Sequence, residues 1–217
     1  MFTIKFKTTA SSSLKLLCLG AHADDIEIGC GGTILRFLAD YSNIEVFWVV
    51  FSGNKQRSYE AEKSANLFLT DAKKKNIIIK DFRDSFFPYI GFEIKEFFEK
   101  IKCDFSPDLI LTHHRNDLHQ DHRIISELTR NTFRDHFILE YEIIKYDGDL
   151  GSPNFFVHLD EKTCKKKLNN IIDSFLSQKN KKWFNEEIFS SILRIRGVES
   201  RSYNNYAEGF YCYKIVF

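Results

Sequence analysis

Two short stretches of this chain concentrate side chains able to bind a metal ion and move protons. The first holds His22, Asp24 and Asp25, and the second holds His119, Asp121 and His122. Two imidazoles and a carboxylate form a common catalytic zinc arrangement, with ligand atoms at ~2 Å and a fourth position kept for water. Such an ion polarises carbonyls and lowers the pKa of its water to about 7. His22 and Asp25 are close enough in one turn to share an ion, and His119 and His122 offer nitrogens from a second loop. Asp24, beside Asp25 but directed elsewhere in a tight turn, is free to serve as general base. The histidine left off the metal is available to stabilise an oxyanion, with Asp121 orienting it through the other ring nitrogen.

Taken singly, each piece has a simpler explanation. An Asp-Asp pair after a strand is usually a helix cap or a solvated turn, and Asp121 would favour a helix N-terminus on charge alone. Cys30 reads as a small buried residue rather than a fourth ligand. Gly29-Cys30-Gly31-Gly32 does not follow the dinucleotide pattern G-x-G-x-x-G, and no H-E-x-x-H protease motif occurs. What favours a metal is the coincidence of two clusters at the ends of two strands.

Those strands are the apolar runs Leu14–Leu19 and Leu109–Thr112. Further strand-like runs are Ile44–Phe51, Asn76–Ile79 and Phe137–Tyr146, separated by helical spacing at Thr33–Asp40, Ser58–Thr70, Ile94–Ile101 and His122–Phe133. The alternation indicates βαβ units in a mainly parallel sheet, whose carboxyl edge is where ligands bind. Ser58 is expected to cap the second helix, and the first glycine cluster to turn the backbone from strand into helix. Beyond the loop Asp147–Asn154 the sequence predicts a strand at Phe155–Leu159, helices at Lys165–Leu176 and Glu186–Arg194, and a closing strand at Gly209–Phe217. Residues 1–217 read as one domain.

The chain has 217 residues and a formal net charge of +1, which gives no sign of a nucleic-acid partner. Its five cysteines are scattered without a CxxC spacing, which excludes a cysteine zinc site and suits a reducing compartment. Residues 1–10 lack a long apolar segment, and Leu14–Leu19 is too short to span a bilayer. The expectation is a cytoplasmic protein with no membrane span. The aromatics Trp183, Phe184, Tyr203 and Tyr206 are expected to be exposed, as a lid or as the interface of a homo-oligomer.

Ala21-His22-Ala23-Asp24-Asp25-Ile26-Glu27 resembles the A-H-P-D-D signature of the LmbE-like, or PIG-L, zinc-dependent de-N-acetylases, and His119-Gln120-Asp121-His122 resembles their H-x-D-H motif. Asn116-Asp117 also fits. Arg57 with Glu60 is similar to the family's R-x-x-E, Lys165 through Ser177-Gln178 to its K…S-Q helix, and Arg196-Gly197 and Tyr206-Ala207-Glu208-Gly209-Phe210 to its closing segments. Ala23 stands where the family usually has proline, a departure that removes no functional group. The resemblance implies a Rossmann-like three-layer α/β fold and removal of an N-acetyl group from an amino sugar or sugar conjugate. It implies one Zn2+ per chain on His22, Asp25 and His122, although a mixed nitrogen and oxygen site also accepts other divalent metals. Asp24 would be the general base, His119 the oxyanion stabiliser and Asp121 the residue holding its ring. Arg57 would touch substrate, against the equally weighted reading of a surface arginine paired with Glu60.

His113 and His114 exceed what this chemistry needs and are expected to be structural. His158 is expected to reach the substrate pocket from the late segment, and Glu208 either to shape that pocket or to serve the fold. Pocket loops are expected around Asn54–Arg57 and Asp147–Asn154. A related zinc amidohydrolase acting on another acyl substrate, such as an antibiotic or thiol precursor, fits the same residues. A non-catalytic nucleotide- or sugar-binding module would be expected to have lost some of them.

Overall fold

The protein is described by a computed structural model covering residues 3–6 and 13–216. Most of the expectation about residues 1–10, and the end of the predicted closing strand at Phe217, lie outside the described residues. The elements run β1 (Leu14–Gly20), α1 (Asp25–Asp40), β2 (Ile44–Val50), α2 (Lys55–Phe68), β3 (Lys74–Ile79), α3 (Gly91–Asp104), β4 (Leu109–His113), α4 (Gln120–Thr132) and β5 (Phe137–Tyr141). They continue with β6 (Phe155–His158), α5 (Glu161–Ser174), α6 (Glu186–Glu199) and β7 (Ala207–Cys212). The sheet order is β3-β2-β1-β4-β5-β7-β6. Pairing is parallel from β3 through β5, and β7 runs antiparallel to both β5 and β6.

The apolar runs become strands because both faces of this sheet are covered. Leu16 and Cys18 point into one core with Ile34, Phe68 and Ile171, whereas Leu17 and Leu19 point into the other with Phe98 and Ile125. Helices α1, α2, α5 and α6 form one outer layer, and α3 with α4 forms the other. This is the three-layer, mainly parallel α/β fold expected from the sequence.

Several boundaries differ from the sequence expectation, each for a local reason. Helix α1 begins at Asp25, not Thr33, so the glycines lie inside it. Their use is close packing: a Cβ on Gly29 would lie 2.2 Å from the Tyr141 ring, and one on Gly31 would lie 2.6 Å from Phe68. Asn54, not Ser58, caps α2, its side chain accepting from Arg57 N at 3.0 Å. Strand β5 stops at Tyr141, because Ile143–Asp147 leaves the sheet to wall the cavity below. Phe184 is buried, unlike the exposed aromatic expected there, while Tyr203 is almost fully exposed.

Candidate active site

Strands β1 and β4 are neighbours whose following connections diverge, β1 toward β2 and β4 toward β5. Their carboxyl ends therefore flank the topological switch point, where such sheets bind ligands. The loop after β1 and the start of α1 supply His22, Asp24 and Asp25, and the loop after β4 and the first turn of α4 supply His119 and His122. These five residues line a cavity of about 700 Å3, with further walls from Asn54 and Arg57 after β2, Asp81–Asp84 after β3 and Lys145–Asp147 after β5. Both expected pocket loops contribute, but from Asp147–Asn154 only Asp147 is a lining residue.

Three ligand atoms converge here. His22 Nδ1 lies 3.1 Å from His122 Nε2, and Asp25 Oδ2 lies 3.4 Å from the first and 3.5 Å from the second. A tetrahedral ion with bonds of ~2.0–2.1 Å requires ligand separations of about 3.3 Å, so the triangle fits a small divalent metal. The far nitrogen of each histidine meets a carboxylate. His22 Nε2 is 3.2 Å from Asp121 and 3.1 Å from Asp84, and His122 Nδ1 is 2.9 Å from Asp117. That arrangement fixes ring orientation and makes the facing nitrogen a better ligand.

Charge and burial agree with a cation at this point. Burial opposes a charge on His22, but hydrogen bonds to Asp121 and Asp25 outweigh it and hold the imidazole well above its ordinary value. Burial and the neighbouring His113 push His122 down to about 3, leaving it neutral. Without metal, His22 accordingly carries the proton that its Nδ1 shares with His122 Nε2. A metal ion held by the triangle would take the place of that proton.

Asp24 sits at the N-terminus of α1 but its side chain makes no capping bond there. Its Oδ1 accepts from Arg57 Nη2 at 2.6 Å, while Oδ2 is buried with no hydrogen-bond partner among the described residues. A buried carboxylate oxygen without a donor is costly, and it is the natural acceptor for a water or substrate proton in this cavity. Arg57 thus pairs with Asp24, not with Glu60. Glu60 accepts from the Ser177 backbone N and hydroxyl, tying the Leu176–Gln178 turn to α2.

One orienting contact differs from expectation. Asp121 does not hold the His119 ring: its carboxylate faces His22 and accepts from Ser85 N at 2.6 Å and Phe87 N at 3.2 Å. The reason is helical geometry, because Asp121 follows His119 into α4 and projects across the strand end. His119 is itself the N-cap, with Nδ1 accepting from Asp121 N at 3.2 Å. In the neutral ring Nε2 then carries the proton, leaving a donor free for a ligand.

The remaining candidates separate clearly. His113 Nε2 accepts from Ala21 N at 2.9 Å, so its lone pair braces the β1 loop although the ring stacks on His122. His114 bonds Glu140 at 3.0 Å. Glu208 accepts from Gly32 N and Thr33 N and pairs with buried Lys167, an internal clamp on α1. His158 is exposed at the end of β6 and does not line the cavity. The sequence reading missed Asp84 and Lys145. Asp84 closes the stretch Asp81-Phe82-Arg83-Asp84 after β3, where ionisable residues follow a strand as they do after β1. Lys145 reaches Asp117 at 3.1 Å and lies beyond β5, within the run Phe137–Tyr146 that reads as strand in the sequence.

Fold and site together define a mainly parallel α/β protein with a His/Asp cluster at its switch point that could hold a metal ion. The sequence profile of the PIG-L family, GlcNAc-PI de-N-acetylase, matches residues 17–133, and the chain belongs to that family. No curated protein matches it significantly. Among solved structures it is similar to an N,N'-diacetylchitobiose deacetylase from Pyrococcus horikoshii, with 23% identity, a TM-score of 0.66, and 92% of this chain and 83% of that one covered. It is similar to an A40926 pseudoaglycone deacetylase, with 15% identity, a TM-score of 0.67, and coverage of 95% and 100%. A 4-carboxy-2-hydroxymuconate hydratase from Pseudomonas putida KT2440 shares the fold at 16% identity and a TM-score of 0.70, covering 94% and 98%. Among the described residues no helix is long and apolar enough to cross a membrane.

Proposed function

We propose that the chain is a metal-dependent de-N-acetylase that hydrolyses the acetamide of an amino sugar or sugar conjugate. The observation that carries this reading is the ligand triangle of His22, Asp25 and His122 beside a buried, half-paired Asp24. A divalent ion held by the triangle, most simply zinc, supplies Lewis acidity toward the amide carbonyl and water. Asp24 Oδ2 takes the proton of the attacking water and returns it to the leaving nitrogen, so the C–N bond breaks to acetate and a free amine. Arg57 holds the other Asp24 oxygen, fixing the carboxylate for that exchange. The Nε2 proton of His119 stabilises the developing oxyanion. Asp121 serves the site through His22, not through His119.

The cavity suits a polar, ring-shaped substrate. Trp183 and Tyr146 supply aromatic faces, and Asn54, Asp81 and Arg83 supply donors and acceptors for hydroxyls. The test is release of free amine and acetate from a panel of N-acetylated sugars, sugar phosphates and sugar conjugates. Stoichiometric amine and acetate, abolished by a chelator and restored by Zn2+, supports the reading. Hydration of an unsaturated acid without amine release would replace it with lyase chemistry on the same fold, the activity named for one of the similar structures.

A further inference from the structure

We infer that the protein carries a second ligand site, a cationic cavity for a phosphorylated small molecule, on the face formed by α4, β5 and the segment after β7. This cavity measures about 780 Å3 and shares no lining residue with the catalytic one. The loop between β4 and α4 supplies Arg115 and Asn116 to this cavity and His119 to the other. Its walls bring Arg115, Arg123, Arg130, Arg134 and Lys214 together against only two carboxylates, Glu127 and Glu140.

Two of these cations, Arg115 and Arg130, share one buried carboxylate, and among the described residues the other three pair with none. Glu140 is buried and already engaged, accepting from Arg115 at 3.0 Å and from His114 at 3.0 Å, with Arg130 at 3.7 Å. Arg123 donates to the carbonyls of Asp117 and Leu118, Arg134 to that of Asn131, and Lys214 to that of Arg134. Among the described residues none of these three forms an ion pair. Carbonyl contacts orient a cation without neutralising it. The Arg115 and Arg130 guanidiniums lie 4.4 and 4.2 Å from the Tyr213 ring centroid, which sets their planes without cancelling their charge.

Four arginines in the lining of one concavity offer planar, multiply donating guanidiniums, which match the geometry of phosphate oxygens better than a single ammonium would. The volume falls within the ~300–1,000 Å3 usual for small-molecule sites. A nucleic acid fits less well, because the overall charge is only +1 and the cations line one hollow, not an extended stripe.

Calorimetric titration of the full chain with inorganic pyrophosphate, at about 150 mM salt, tests the site without reference to deacetylase activity. Saturable binding of one pyrophosphate per chain is expected, weakened at least tenfold in an Arg130→Ser/Arg134→Ser variant. It should be unchanged in Arg83→Ser, which alters the catalytic cavity instead. Parallel titrations with a nucleoside diphosphate and a hexose phosphate identify the source, and tighter binding of either supports the site. If the double variant loses its far-UV circular dichroism, Arg134→Glu alone is measured and should weaken binding severalfold. Absence of saturable binding, equal weakening by Arg83→Ser, or tighter binding of a short RNA than of any small phosphate would overturn the proposal.

Discussion

Replacing Asp117 with asparagine reaches the metal triangle through a single proton. In the native chain Asp117 Oδ2 faces His122 Nδ1 at 2.9 Å, while Oδ1 accepts from His119 N at 2.7 Å and faces Lys145 Nζ at 3.1 Å. Asparagine has one acceptor oxygen and one NH2 group. The Oδ1 side faces two donors, an amide and an ammonium, so the oxygen stays there and the NH2 turns toward His122. Nδ1 must then accept, and the ring proton moves to Nε2, the nitrogen that faces His22 and Asp25. Losing an orienting partner of this kind typically costs about 10–100-fold in metal affinity, or ~1.4–2.7 kcal/mol. Competition titration of the metal-free protein against a fluorescent zinc chelator reads the loss directly, with circular dichroism confirming the fold. Zinc affinity within twofold of wild type in a folded variant would refute the tautomer argument and remove His122 from the ligand set.

Asp24→Asn should keep that zinc affinity while lowering amine release by about 10²–10⁴-fold, the usual range for loss of a general base; unchanged turnover would reassign the base. Gly29→Ala should be destabilising, because the new Cβ lies 2.2 Å from a Tyr141 ring whose hydroxyl is bonded to Leu19 O at 2.6 Å. Overpacking at the upper end of ~1–3 kcal/mol, offset by ~1 kcal/mol of helix propensity, leaves ~2 kcal/mol and predicts a Tm lower by roughly 4–8 °C. Gly91→Ala, where a Cβ meets nothing, should not lower Tm. Burial alone would raise the Glu140 pKa, but His114 and Arg115 hold it below its ordinary 4.5. Its stabilising contribution is therefore present above that value and fades as pH falls through the depressed one. The gap in urea stability between wild type and Glu140→Gln should narrow below about pH 4; a gap that widens in acid contradicts the assignment.

The parallel sheet and the two clusters were legible because they are local signals. Buried parallel strands are continuous apolar runs, as at Leu14–Leu19 and Leu109–Thr112, and the ionisable residues follow them directly in sequence. What could not be read was set by contacts across the chain. The glycines resemble a turn in sequence, yet inside α1 they admit Tyr141 and Phe68, whose approach depends on how β5 and α2 pack. Arg57 has a carboxylate one helical turn away in Glu60, which favours that pair on spacing alone. Ser177 occupies Glu60 in the fold and leaves Arg57 for Asp24. Asp121 adjoins His119 along the chain, but the orientation of α4 turns its carboxylate to His22. Adjacency in sequence pointed to residues that the fold brings together, but not to the partner that Asp121 takes.

His22, Asp25 and His122 are proposed to hold one catalytic metal ion together. Elemental analysis of the purified chain after zinc loading and removal of free metal, compared with His22→Ala and His122→Ala variants of proven fold, tests it most directly. About one zinc per wild-type chain and almost none in either variant is expected, with chelator-sensitive amine release following the metal. Full occupancy in both folded variants, or no zinc retained by wild type at any loading, would contradict it.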